Sequence, residues 1–178
     1  MNIYVASSWR NNIQQKIVAL LRLHGYQVYD FKNPRPGDNG FHWSEIEPSW
    51  KTWSPQQFRD SLNHPVAVAG FMSDMDALKA CDVCVLVLPC GRSAHLEAGW
   101  AAGAQKPMVI LLSDNDEPEL MYKVTPYICT DEQELLIALE EIERSLPCSN
   151  CGELHPPMAN LFEEDAHDGS CVQSKRAG

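Results

Sequence analysis

Two carboxylates carry the chemistry that this sequence offers most directly. Glu97 stands near the start of a helix that opens after a buried strand, in the stretch D-V-C-V-L-V-L-P-C-G-R-S-A-H-L-E-A-G-W-A-A-G-A-Q-K at 82–106. Asp74 stands on the helix that precedes that strand. A helix dipole favours an ionised acid close to its N-terminus by about 0.3–1 kcal/mol, which suits Glu97 to a nucleophile's work. Asp74 keeps a proton if partly buried. Two acids held at separate pKa values are the pattern of glycosyl transfer, in which one attacks the anomeric carbon and the other protonates the leaving group. The competing reading is structural: Glu97 complements a helix terminus and Asp74 is a solvated helix residue.

Other chemistries find no support. There is no G-x-x-x-x-G-K-[ST], no G-x-G-x-x-G after the first strand and no G-x-S-x-G elbow. These absences speak against a kinase, a dinucleotide-dependent dehydrogenase and a serine hydrolase. Acid–nucleophile chemistry of this kind calls for no cofactor. The 178 residues carry 14 Lys and Arg against 24 Asp and Glu, a net charge of −10. A nucleic-acid polymer needs a basic footprint, so the partner expected is a small molecule of nucleotide size. No apolar stretch approaches ~18 residues, so no membrane span is expected. The opening M-N-I-Y-V-A-S-S-W-R lacks a basic start and a signal-type apolar core, and the expected location is the cytoplasm. Cys81, Cys84 and Cys90, in or beside the central strand, read as reduced and buried.

The elements that must position the two acids follow from periodicity. Val83–Leu88 is a continuous apolar run suited to a strand covered on both faces. Ser93 is placed to cap the next helix, whose turns carry Ala94, Ala98, Ala101 and Ala102 with Gly99 and Gly103 between them. Ile3–Ala6 reads as a first strand, followed by a helix with Ile13, Ile17, Leu20, Leu21 and Leu23 that ends at Gly25. Gln27–Phe31 is a second strand. A short helix at Gln56–Asn63 and a longer one at Val66–Cys81, with Phe71, Met75 and Leu78 facing the core, lead to the central strand. Further strands at Pro107–Leu112 and Val124–Cys129 precede an amphipathic helix at Asp131–Leu146, capped by Thr130 or Asp131. The order predicts an α/β fold: a flavodoxin-like, doubly wound three-layer sandwich with a mainly parallel sheet of about five strands.

Two segments depart from this rhythm. Residues 33–55 hold Pro34, Pro36, Pro48 and Pro55 with Trp43, Trp50 and Trp53. So many aromatics point to an ordered lid, either a satellite core under a long loop or a flap offering Trp43 or Phe41 to a planar base. The domain is expected to span 1–146. Beyond it, residues 147–178 form a tail, flexible by default, in which C-x-x-C followed by His makes half a zinc signature. Its candidate ligands are Cys148, Cys151, His155 and Cys171, with His167 nearby.

Three stretches together resemble a known family: I-Y-V-A-S-S-W-R at the N-terminus, D-M-D-A-L-K-A-C-D-V-C-V-L-V at 74–87, and P-C-G-R-S-A-H-L-E-A-G-W-A-A-G at 89–103. They are similar to the nucleoside 2-deoxyribosyltransferase superfamily, which includes nucleoside 5′-monophosphate N-glycosidases. The similarity covers roughly residues 2–145. It implies that Glu97 forms a glycosyl-enzyme intermediate, that Asp74 assists base departure and that Tyr4 orients the nucleophile. It also implies that Arg10 lies near a 5′-phosphate and that the protein is a homodimer or larger homo-oligomer. Where the transferases carry an aspartate that holds the sugar hydroxyls, this chain has Gly91, followed by Arg92 and Ser93. That exchange favours an anionic group, hence a nucleotide and hydrolysis. Ser7, Trp43 and His95 complete the candidate substrate contacts. Two alternatives stay open: a TIR-like NAD glycohydrolase, and a nucleotide-binding module without turnover.

Overall fold

The structure, a computed structural model, describes residues 1–114 and 116–147. Five strands form one sheet: β1 (Asn2–Ala6), β2 (Gln27–Asp30), β3 (Val83–Val87), β4 (Met108–Leu111) and β5 (Tyr127–Cys129). Their spatial order is β2-β1-β3-β4-β5, and every pairing is parallel. The helices are α1 (Gln14–Leu23), α2 (Pro55–Ser61), α3 (Pro65–Ala80), α4 (Arg92–Gly103) and α5 (Glu132–Ser145). The chain divides into a compact unit, Met1–Glu143, which holds the sheet, and a second unit, Arg144–Gly178. The candidate zinc ligands Cys148, Cys151, His155 and Cys171 lie outside the described residues. No helix among the described residues is long and apolar enough to cross a membrane.

Alternation along the strands builds the layers. Tyr4, Ala6, Cys84, Leu86, Met108 and Ile110 share a core with Leu78 of α3 and with Ala94, Ala98 and Ala101 of α4. The intervening residues Ile3, Val5, Val83, Val85, Val87 and Val109 are as deeply buried and face the other way. Right-handed crossovers put α1 on that opposite face. There Ile17, Val18 and Leu21 are fully buried, as are Leu135, Leu139 and Ile142 of α5, and Lys16 meets Glu132 at 2.6 Å between the two helices. The result is the flavodoxin-like sandwich that the sequence predicts.

Three local expectations change. Helix α1 starts at Gln14, not near Trp9, and Ile13 and Leu23 are exposed. Helix α4 is capped by Gly91 in extended conformation, so Ser93 falls inside the first turn and caps nothing. Its alanines, not its glycines, allow the close approach to the sheet, since Gly99 and Gly103 face open space. In α3 the core-facing residue expected at Phe71 is 63% exposed. Met75 and Leu78 pack on the core as expected, and the inward stripe is completed by Ala67, Gly70 and Asp74. A polar residue inside that stripe shifts the apparent phase of the pattern.

The segment between β2 and α2 is ordered by its own aromatic cluster. Trp43 packs edge-on against Phe41, Trp53 and Phe58, with centroids 4.8, 5.6 and 5.7 Å apart. Trp43 opens one 3-10 turn, Trp43–Glu45, Trp53 follows a second, Trp50–Thr52, and Phe58 comes from α2. The segment is pinned at both ends of Gly40–Phe41. Gly40 has φ +73°, with Phe31 and Trp9 crowding the place a side chain would take. A Cβ on Gly70 of α3 would sit 2.8 Å from the Cβ of Phe41.

Candidate active site

In a sheet of order β2-β1-β3-β4-β5 the strand order reverses between β1 and β3, and a crevice opens beyond their carboxyl ends. Two hydrogen-bonding side chains join the loops there. The Ser7 hydroxyl donates to the Val87 carbonyl at 2.8 Å. The Asn11 amide donates to Ser7 Oγ at 3.0 Å and to the carbonyls of Val87 and Pro89, each at 3.2 Å. Both residues are buried. Ser7 therefore spends its hydroxyl on tying β1 to β3.

Below the crevice lie the acids. Glu97 projects from the second turn of α4 between the sheet-facing alanines, and Asp74 from the inward stripe of α3; both are half-buried. Tyr4 and Tyr29 are register partners on β1 and β2, and their rings stack at 5.3 Å and 14°. The Tyr29 hydroxyl donates to Asp74 Oδ1 at 2.8 Å and lies 3.0 Å from Ser73 Oγ. Since the single phenolic proton points to the carboxylate, the Ser73 hydroxyl donates to Tyr29. Among the described residues, the Tyr4 hydroxyl is the buried side-chain polar atom left without a hydrogen-bond partner.

Electrostatics couples this group. Burial, and next the Asp74 carboxylate, push Glu97 up to about 7, while the nearby Tyr4 hydroxyl acts in the opposite direction. Asp74 is also raised by burial, with the Tyr29 hydroxyl holding it down. Burial above all, then Glu97 and Asp74, push the Tyr4 phenol far above its usual value. Both tyrosines therefore stay neutral donors. The expectation that a helix dipole keeps Glu97 ionised is corrected here. The dipole fades within the first turn of α4, which contains no acid, and at Glu97 desolvation and a like charge prevail.

A cavity of about 240 Å³ opens beside Asp74, roofed by the 33–45 segment. Tyr29, Ser73 and Asp74 form one wall; Phe41, Arg35 and Glu45 contribute from the roof. Glu97 and Trp43 are not among its lining residues. Phe41, not Trp43, is thus the ring that the 33–55 segment brings to the cavity, beside Tyr29 and Phe31, and Trp43 belongs to the satellite cluster.

The remaining predicted residues lie around the crevice rim. Arg10 in the β1–α1 loop and Arg92 at the start of α4 are exposed, as are Gly91 and Ser93. His95 is held on both sides. Its Nδ1 meets the Gly91 carbonyl at 2.9 Å, so it carries the proton, and Nε2 accepts from the Tyr122 hydroxyl at 3.0 Å. Cys90 Sγ lies 3.4 Å from the same Nδ1. Burial, next Asp116 and then Glu97 push the Cys90 thiol up to about 12, which leaves it inert. Cys81, Cys84 and Cys129 are buried free thiols, while Cys90 is half-buried. No group of three or more metal-ligating side chains occurs among the described residues.

Sequence reasoning did not single out Asn11, Tyr29, Ser73 or Tyr122. Only the apolar setting of Tyr29 in a strand aligned with Tyr4 offered a signal, and it required the strand register.

No protein-family model and no curated protein matches this sequence. Solved structures do match the fold. A 2-deoxyribosyltransferase of the psychrotolerant bacterium Bacillus psychrosaccharolyticus aligns over 76% of this chain and 90% of its own, with 17% identity and a TM-score of 0.52. A CMP N-glycosidase of Clostridium botulinum aligns over 79% of this chain and 99% of its own, with 18% identity and a TM-score of 0.44. At such identity the first likeness is one of fold, and that fold is the one expected from the family the sequence resembles.

Proposed function

We propose that the protein cleaves the N-glycosidic bond of a nucleoside or nucleoside 5′-monophosphate. The observation that carries this reading is the coupled, half-buried carboxyl pair, Glu97 and Asp74, below the β1/β3 crevice and beside a cavity. In the free protein the shared proton rests on Glu97. It passes to Asp74 as substrate binds, ionised Glu97 attacks C1′, the C1′–N bond breaks, and its electron pair leaves with the base, which takes that proton from Asp74. Water then attacks C1′, Asp74 takes back a proton, and the Glu97 carboxylate is released; a second base in place of water would give transfer. Tyr4 donates to the Glu97 carboxylate once substrate seats it. A buried hydroxyl without a partner costs about 1–3 kcal/mol, so that contact is favourable. The cavity receives the base against Phe41. Arg10, Arg92 and the N-terminus of α4, which has no side-chain cap, face the 5′ side and favour a phosphate there.

The test is release of free base from a panel of nucleosides, monophosphates and NAD, followed by chromatography. Glu97→Gln is expected to lose base release by at least about a thousandfold while keeping the wild-type circular dichroism spectrum. A folded Glu97→Gln variant with full activity overturns the mechanism. Release of nicotinamide from NAD alone would instead assign a NAD glycohydrolase.

A further inference from the structure

We propose that Tyr29 is a positioning residue for Asp74, its hydroxyl occupying Oδ1 so that the transferable proton is carried on Oδ2. The inference rests on the glycosidic reading and adds to it a residue that no part of that reading requires. Three contacts support it. The Tyr29 ring is fixed by its stack on Tyr4 at 5.3 Å. Its hydroxyl donates to Oδ1 at 2.8 Å and receives the Ser73 hydroxyl proton. Tyr29 also lines the cavity beside Asp74, so the chain Ser73–Tyr29–Asp74 runs along one wall of the space given to the base.

A carboxyl group has two oxygens, and a donor of the proper kind must present its proton in one direction. An oxygen already accepting from a phenol is the poorer place for a proton, because the protonated oxygen of a carboxyl group is the weaker hydrogen-bond acceptor of the two. Oδ2 is left as the acidic oxygen. The charged and titratable groups facing this pair are Tyr4 from β1, Glu97 from α4, and Arg35, Asp38 and Glu45 from the roof. The side chain hydrogen-bonded to the Tyr29–Asp74 unit is instead the uncharged Ser73.

Tyr29→Phe keeps the ring and its stack and removes the hydroxyl. The expected result is a loss of about tenfold in kcat with KM changed less than about twofold, since a donor to a carboxylate is lost and no substrate contact is. The alkaline limb of the pH–kcat/KM profile is expected to move to higher pH, because Asp74 loses a partner that favours its charged form. Ser73→Ala is expected to shift the limb the same way by less. The decisive measurement is the double variant Tyr29→Phe/Asp74→Asn. If Tyr29 acts through Asp74, it is no slower than Asp74→Asn alone. Losses that multiply, or an unshifted limb in Tyr29→Phe, overturn the proposal while leaving the glycosidic reading intact. Failure of the wild-type protein to release any base overturns both.

Discussion

At the scale of the residue, the two acids are decided by where water is absent. Glu97 and Asp74 repel as anions, so over a range below about 7 the pair holds one proton between them. In the proposed reaction that one proton moves from Glu97 to Asp74, which leaves one nucleophile and one acid. The expected pH profile of kcat/KM therefore falls as pH rises through about 7, when the shared proton is lost. In Asp74→Asn the like charge is gone, Glu97 titrates lower, and the small residual activity is expected to rise with pH to a plateau reached below 7. A profile with the wild-type shape in that variant would dissociate the two groups. Stability carries the same signature. Glu97 has a folded pKa above its unfolded value, so the folded state holds more protons between about 4.5 and 7 and loses stability as pH climbs through that window. Glu97→Gln removes this loss. Its melting temperature is expected to exceed that of the wild type at pH 8 and to match it at pH 4.

At the scale of the element, strands were readable and the side-chain links between them were not. Short β-branched runs at Ile3–Ala6 and Val83–Leu88 announce buried strands whatever their neighbours, and their order announces the fold. Glu97 was legible because it stands beside such a run. Asn11 and Tyr29 act across the sheet, on Val87, Pro89 and Asp74, and those pairings exist only once the register Tyr4↔Tyr29 and Ala6↔Leu86 is set. Helix α3 shows the opposite failure: the stripe that matters contains Asp74, and an apolar pattern search passes over it. Its Gly70 is the element's testable point. Alanine gains about 1 kcal/mol in a helix interior over glycine. Here the added methyl meets Phe41 at 2.8 Å, and overpacking costs about 1–3 kcal/mol, so the clash is the larger effect. Gly70→Ala is expected to lower the urea midpoint and to raise KM more than it lowers kcat, because Phe41 shapes the cavity roof.

At the scale of the whole molecule, the net charge of −10 bears on the phosphate proposed for the substrate. A phosphate approaching such a surface needs local positive groups, and beyond the neighbouring strands β1 and β3 the β1–α1 loop carries Arg10 and the start of α4 carries Arg92. Arg92→Ala is expected to raise KM for monophosphates about tenfold or more and to leave nucleosides nearly unchanged. Equal effects on both in steady-state assays would remove the phosphate from the reading.

The tie made by Ser7 and Asn11 has a further consequence for traffic through the crevice. Bonds from one loop to carbonyls of the other hold the ground beneath the substrate at a fixed width. On the opposite side the Gly40–Phe41 stretch rests on α3 through van der Waals contact at Gly70. The crevice thus has a hydrogen-bonded side and a side held by van der Waals contact, and under the proposed function the second is the one expected to yield when substrate enters.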